Sequence, residues 1–405
     1  MLRVRKGLAV VALVLALASQ ASASRLPLAT RLADALAVRG NRPAASAALA
    51  VDLRSGAVVF ARHPDLPLDP ASNEKLPVTF AALHDLGPAY RFRTVALADG
   101  TREGGVLHGD LFLKGYGDPT LTTARLRRLA RQVAESGIRR VDGRLLGDET
   151  WFDSRRGAPG WKSGYLVWEC PPLSALVVDR DVYDNHIAFD PALAAAGTFR
   201  RLLRREGVDT GPVGLGRAPA DAVGVGEVRS ATLANVVAVM DHDSDNFRAE
   251  MLLKDLGAEV SGGGTTAAGA AVVRRDLAAA GIPLNGVVIA DGSGLSLLDR
   301  LTAGTIVDLL AAAWNDPVLR LPFWSALPVA GENGTLQDRM QKPPALGVVR
   351  AKTGTTDEAS ALSGYVSDRF VFAVIQNGSP VAWDAARTAQ DRFATALARA
   401  ASTGE

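Results

Sequence analysis

Three short motifs, each present once and in a fixed order, restrict what this 405-residue chain can fold into. Ser72-Asn73-Glu74-Lys75 is its only Ser-x-x-Lys, Ser244-Asp245-Asn246 its only Ser-x-Asn, and Lys352-Thr353-Gly354 its only Lys-Thr-Gly. Lysine is otherwise scarce: Lys and Arg number 45 together, and Lys stands only at positions 6, 75, 114, 162, 254, 342 and 352. Arg holds its proton under all ordinary conditions, whereas a buried Lys can release one. Two lysines inside motifs of an Arg-rich chain therefore point to proton chemistry.

The surrounding residues say what each motif sits on. After Pro70, apolar residues at 76, 80, 83 and 86 predict a helix over 72–86 that stops at Gly87-Pro88, with Ser72 at its start. Pro77 cannot donate to the carbonyl of Asn73 and is expected to distort that helix. Residues 230–240 and 247–256 read as helices with Ser244-Asp245-Asn246 at their joint, and 266–280 as a third that ends at Gly281. Strands are expected over 348–352, 361–366 and 369–376, followed by an Ala-rich helix over 382–400. A hairpin over 47–53 and 57–61, turning at Arg54-Ser55-Gly56, opens the domain. Between them, about 90–225 reads as short strands and Gly turns, an insertion.

Acyl transfer needs these residue types. A Ser hydroxyl is a poor nucleophile until a base takes its proton, and Lys75 lies one helical turn from Ser72. Lys75 must then fall well below the ordinary lysine range, through burial and a second cation, Lys352. Backbone N–H groups at the helix start and the N–H of Thr355 are suited to an oxyanion. Ser244 can pass a proton to the leaving nitrogen, and the Asn246 amide can hold both Lys75 and the substrate's peptide bond. Lys352, Thr353 and Thr355 form an expected carboxylate receptor, with Gly354 leaving room for substrate backbone.

Met1 to Ala23 reads as a secretory signal: Arg3, Arg5 and Lys6, an apolar run over 8–18, then Ala21-Ser22-Ala23. As a helix that run rises only about 16 Å, short of the ~30 Å hydrocarbon core. Losing its three cations takes the formal charge from +2 to −1, which argues against a nucleic-acid partner. The lone Cys170 allows no internal disulfide and is expected as a packed thiol. His63, His84, His108, His186 and His242 form no close-spaced ligand pair, so neither a metal nor a cofactor is expected. Trp151, Trp161 and Trp168 read as core residues before a ligand groove.

Together the motifs make the signature of active-site serine penicillin-recognising enzymes. Beyond them, Pro70 to Leu76, Gly115-Tyr116-Gly117-Asp118-Pro119-Thr120-Leu121, Ser244 to Glu250, Asp291-Gly292-Ser293-Gly294-Leu295-Ser296 and Ala351 to Thr355 resemble the D-alanyl-D-alanine carboxypeptidase/endopeptidase family, low-molecular-mass penicillin-binding proteins with an insertion in the transpeptidase-like domain. The resemblance implies an α/β (α+β) fold, a β-lactamase/transpeptidase-like domain whose central antiparallel sheet is flanked by helices, plus an inserted strand-rich domain. It divides the chain into a signal peptide over 1–23, a catalytic domain over 24–90 and 226–405, and an insert over 91–225. It implies Ser72, Lys75, Ser244, Asn246 and Lys352 as catalytic residues and Thr353, Gly354 and Thr355 as substrate-binding ones. Expected partners are peptidoglycan stem peptides and, as inhibitors, β-lactams, with the protein exported and peripherally associated with the cell envelope. A β-lactamase of the same fold and a secreted, non-catalytic peptidoglycan-binding protein stand as the alternatives.

Overall fold

The computed structural model describes residues 26–183 and 186–405, so the expected signal segment lies outside the described residues. Five strands form an antiparallel sheet in the order Val349–Thr355, Ala359–Val366, Phe370–Asn377, Ser46–Asp52, Val58–Arg62. Both faces are covered, which the alternation along Phe370–Asn377 makes plain. Phe370, Phe372 and Val374 pack with Phe393 and Leu397 of the C-terminal helix Trp383–Thr403, while Val371, Ala373 and Ile375 pack with Leu76, Phe80 and the central helices. A strand buried on both sides reads as a continuous apolar run, as this one does.

The second side of the sheet carries the helices Lys75–Asp85, Leu233–His242, Asn246–Ser261, Thr266–Ala279 and Ala303–Asn315. The first of these begins three residues later than expected, because Ala71–Glu74 is a 3-10 turn. Pro77 is thereby the third residue of the α-helix, in the first turn, where N–H groups have no intrahelical acceptor. The expected distortion does not arise.

A separate sheet holds the insertion, in the order Val213–Leu215, Leu145–Asp148, Val106–Gly115, Arg93–Glu103, Val223–Arg229, with two short strands at its side. Its last strand straddles position 225 and pairs with Arg93–Glu103. Arg93–Glu103 and Val106–Gly115 turn at Gly104-Gly105, whose φ values of 55° and 82° are the positive pair that a tight hairpin requires. Two helices cover this sheet, Thr123–Glu135 and Pro191–Arg205. The first buries Leu126, Leu129, Ala130 and Val133, one stripe at helical spacing, and is capped by Thr122 Oγ1 accepting from the Arg125 N–H. Among the described residues no helix is long and apolar enough to cross a membrane.

Candidate active site

The 3-10 turn that presents Ser72 is held from below. Asp69 Oδ1 accepts from the Ala71 N–H at 2.8 Å, Asn377 exchanges two hydrogen bonds of 2.9 Å with the Asp69 backbone, and Asn73 Nδ2 donates to the Lys352 carbonyl at 3.2 Å. The turn therefore cannot move independently of the Lys352 strand. Ala71 has φ 46° and Ser244 φ 58°, strained values for residues with a Cβ, the one beside Ser72 and the other opening the second motif.

Lys75 and Lys352 are both fully buried. The Lys75 ammonium donates to Ser72 Oγ at 3.1 Å, Asn246 Oδ1 at 2.8 Å and the Ser293 carbonyl at 2.6 Å. Lys352 donates to Ser244 Oγ at 2.8 Å and to the Thr353 carbonyl at 2.9 Å. Asn246 Nδ2 donates in turn to the Glu169 carbonyl at 3.2 Å, tying the site to a segment of the insertion. All three motifs thus converge on one cleft. A cavity of about 400 Å³ opens over them, and Ser72, Ser244, Thr335, Thr353, Thr355 and Arg387 are among its lining residues.

Burial pulls Lys75 below the ordinary lysine range, against the charges of Asp291, Glu250, Asp241 and Asp245, which oppose the shift. The expected cause, a second cation, operates in the other direction: burial and then the Lys75 ammonium pull Lys352 down to about 7, with Asp241 opposing. Asp241, buried and receiving Thr79 Oγ1 at 2.7 Å, is itself pushed up to about 6 by burial, in spite of Lys352. Burial thus weakens the hold on a proton at both lysines, and at Lys352 the neighbouring Lys75 charge adds to it.

The Val349–Thr355 strand is at the sheet edge; its Val349 and Ala351 N–H groups point outward, to the Ala345 and Pro328 carbonyls. The two-residue period turns the Thr353 and Thr355 N–H groups the same way, toward the cleft. Side chains alternate too: Thr353 pairs across the sheet with Leu362 and Thr355 with Ser360, on the face of the C-terminal helix, whereas Gly354 pairs with Ala361 on the opposite face. Lys352, adjacent to Thr353, leaves the strand on that opposite face, and its Nζ reaches back to Ser244 Oγ at 2.8 Å and the Thr353 carbonyl at 2.9 Å, Ser244 lining the same cavity as Thr353 and Thr355. A Cβ on Gly354 would lie 2.7 Å from the Pro70 carbonyl and 3.2 Å from Ala71 Cβ. The glycine thus makes room for the turn that carries Ser72.

Asp291 to Ser296, marked in the sequence only by resemblance, forms a loop whose hub no motif announces. Buried Asp291 accepts from the N–H groups of Ser293, Gly294, Leu295 and Ser296 at 2.7–3.1 Å and from Trp161 Nε1 at 2.8 Å, which aims the Ser293 carbonyl at Lys75. Glu250 Oε1 accepts from Gly292 and Ser293 at 3.0 and 2.8 Å. Of the three tryptophans, Trp161 pins this loop, Trp151 packs on the Tyr116 ring at 5.1 Å, and Trp168 is 84% exposed. Cys170 is a buried thiol, pushed well up by burial. Among the described residues His84, Asp85 and Asp276 approach ligand spacing, but Arg275 pairs with both of these carboxylates.

A D-alanyl-D-alanine carboxypeptidase of Actinomadura sp. (strain R39) is 34% identical over 443 aligned residues, covering 88% of this chain and 81% of the relative. Penicillin binding protein 4 of Haemophilus influenzae superposes with a TM-score of 0.79 at 22% identity, over 91% of this chain and 98% of that one. The same Haemophilus protein in complex with a β-lactam gives 0.75 at 21%, over 92% and 98%. Its structure carries the same transpeptidase-like fold with the extra strand-rich domain. The model of the D-Ala-D-Ala carboxypeptidase 3 (S13) family matches residues 28–188 and 187–400, and the chain belongs to that family.

Proposed function

We propose that this chain is a serine D-alanyl-D-alanine carboxypeptidase/endopeptidase that acts on peptidoglycan stem peptides through an acyl-enzyme on Ser72 and is acylated there by β-lactams. The observation that carries the reading is the fully buried Lys75 amine 3.1 Å from Ser72 Oγ. Lys75 takes the Ser72 proton as the oxygen attacks the carbonyl of the penultimate D-Ala. The Ser72 and Thr355 N–H groups receive the oxyanion, and Ser244, held by Lys352, delivers a proton to the departing nitrogen. Asn246 fixes Lys75 and presents its amide to the substrate. Water then releases the acyl group, and Thr353 and Thr355 meet the substrate's terminal carboxylate.

Export to the cell envelope is part of this reading, supported by the basic, apolar and small-residue segments of positions 1–23 and by the extracellular nature of the substrate. We also propose a catalytic unit of 24–90 plus 226–405 with an insert of 91–225, the insert's final strand running on to Arg229. Release of D-Ala from an acyl-D-Ala-D-Ala peptide tests the activity: wild type releases it and Ser72→Ala does not. Equal release by both would reject the assignment.

A further inference from the structure

We propose that Arg387 is the fixed cation that receives the substrate's terminal carboxylate. The inference rests on the function proposed above and adds a residue that no motif contains. Thr353 and Thr355 face the helix Trp383–Thr403: Leu362, the partner of Thr353, packs with Phe393 and Leu397, and Ser360, the partner of Thr355, accepts from Gln390 Nε2 at 2.9 Å. Arg387 stands on that helix one turn before Gln390 and lines the same cavity as Ser72, Thr353 and Thr355.

The other nearby cations are committed. Arg339 also lines the cavity, but it pairs with Asp391 at 2.7 Å and donates to Gln390 Oε1 at 3.1 Å. Lys352 is fully buried and bonded to Ser244 and the Thr353 carbonyl, and burial beside Lys75 weakens its hold on a proton. Arg387 has neither an ion pair nor a hydrogen bond among the described residues, and its side chain is exposed to the cleft. A guanidinium keeps its charge at every working pH and matches a carboxylate with paired donors. Hydroxyls alone leave a partly desolvated carboxylate uncompensated. Asp338, which lines the same cavity and has no ion pair among the described residues, opposes an incoming anion, so the balance there depends on Arg387.

The test compares kcat/KM for an acyl-D-Ala-D-Ala peptide as the free acid and as its C-terminal amide. Arg387→Gln should lose roughly tenfold on the acid, the lower end for a hydrogen bond to a charged group because the site is open to water, and change little on the amide. The loss should lie mainly in KM and shrink at high salt. Arg387→Lys should recover part of it. Asp338→Asn, a second route should Arg387→Gln fold poorly, should shift the acid-to-amide ratio the opposite way. Equal losses on acid and amide, or no loss, together with an unmoved ratio in Asp338→Asn, would overturn the proposal. Stoichiometric penicillin labelling of Arg387→Gln at saturation shows that the variant is folded. If wild type neither labels nor releases D-Ala, it is the underlying function that fails; if it does both and the ratio stays fixed, only the role of Arg387 fails.

Discussion

The Ser293 carbonyl accepts from the Lys75 ammonium at 2.6 Å, a shorter contact than the 3.1 Å from that ammonium to Ser72 Oγ. The amine is therefore positioned by the Asp291–Ser296 loop as much as by its own helix. Asp291 holds that loop through four backbone N–H groups and the Trp161 indole. Asp291→Ala should strand these buried donors and cost on the order of 3 kcal/mol or more, since each unsatisfied group costs about 1–3 kcal/mol. Denaturant unfolding checks this; a loss below about 1 kcal/mol would mean the loop is held by something else.

Lys75→Arg should be nearly as damaging as Lys75→Ala in the rate of Ser72 acylation, with both slowed by roughly 10²–10⁴-fold, the usual contribution of a positioned base. Arg keeps a charge but cannot accept the proton. Stopped-flow acylation by penicillin reads the rate, and substantial acylation in the Arg variant would assign Lys75 an electrostatic role.

Glu250 gives a pH prediction. Burial, and then the charge of Asp291, pushes its carboxyl up to about 8 in the folded protein, against about 4.3 in an unfolded chain. The folded state then favours the protonated form, so this group's stabilisation is complete below about pH 4 and is lost as pH rises through about 8. Glu250→Gln keeps an oxygen for the Gly292 and Ser293 N–H groups but removes the titration. Its melting temperature relative to wild type should therefore improve between pH 5 and pH 8.5, and a pH-independent difference would refute the shift.

Lys352→Ala should lower kcat/KM by a similar factor for the free-acid and amidated peptides, because Lys352 faces Ser244 and Lys75 rather than the threonine face. A selective loss on the acid would return Lys352 to the carboxylate receptor.

Much of this site was legible in the sequence because its parts are local. Ser72 and Lys75 are one turn apart, Asn246 opens a helix, and the apolar run of Phe370–Asn377 announces a buried strand. What stayed hidden depends on long-range packing. The helix Thr123–Glu135 carries a helical stripe, yet its Arg125, Arg127, Arg128 and Arg131 leave it with little apolar signal outside Leu126, Leu129, Ala130 and Val133. Asp291 looks like any turn aspartate until the loop closes around it. The division between Lys352 and Thr353 was in principle readable from the strand period, and the motif's contiguity concealed it. Arg387 lies in an Ala-rich helix with nothing to distinguish it from Arg392 or Arg399 until the sheet brings Thr355 beneath that helix.

The most direct test of the central claim is the intact mass of the protein after incubation with penicillin. Wild type should gain one penicilloyl group that persists over the time of the measurement, since Asp338 is the one carboxylate found among the residues lining the cavity and no base is evident for rapid deacylation. Ser72→Ala should gain none. An unmodified wild type, an equal adduct on Ser72→Ala, or rapid turnover of the penicillin would contradict the account, the last by identifying a β-lactamase.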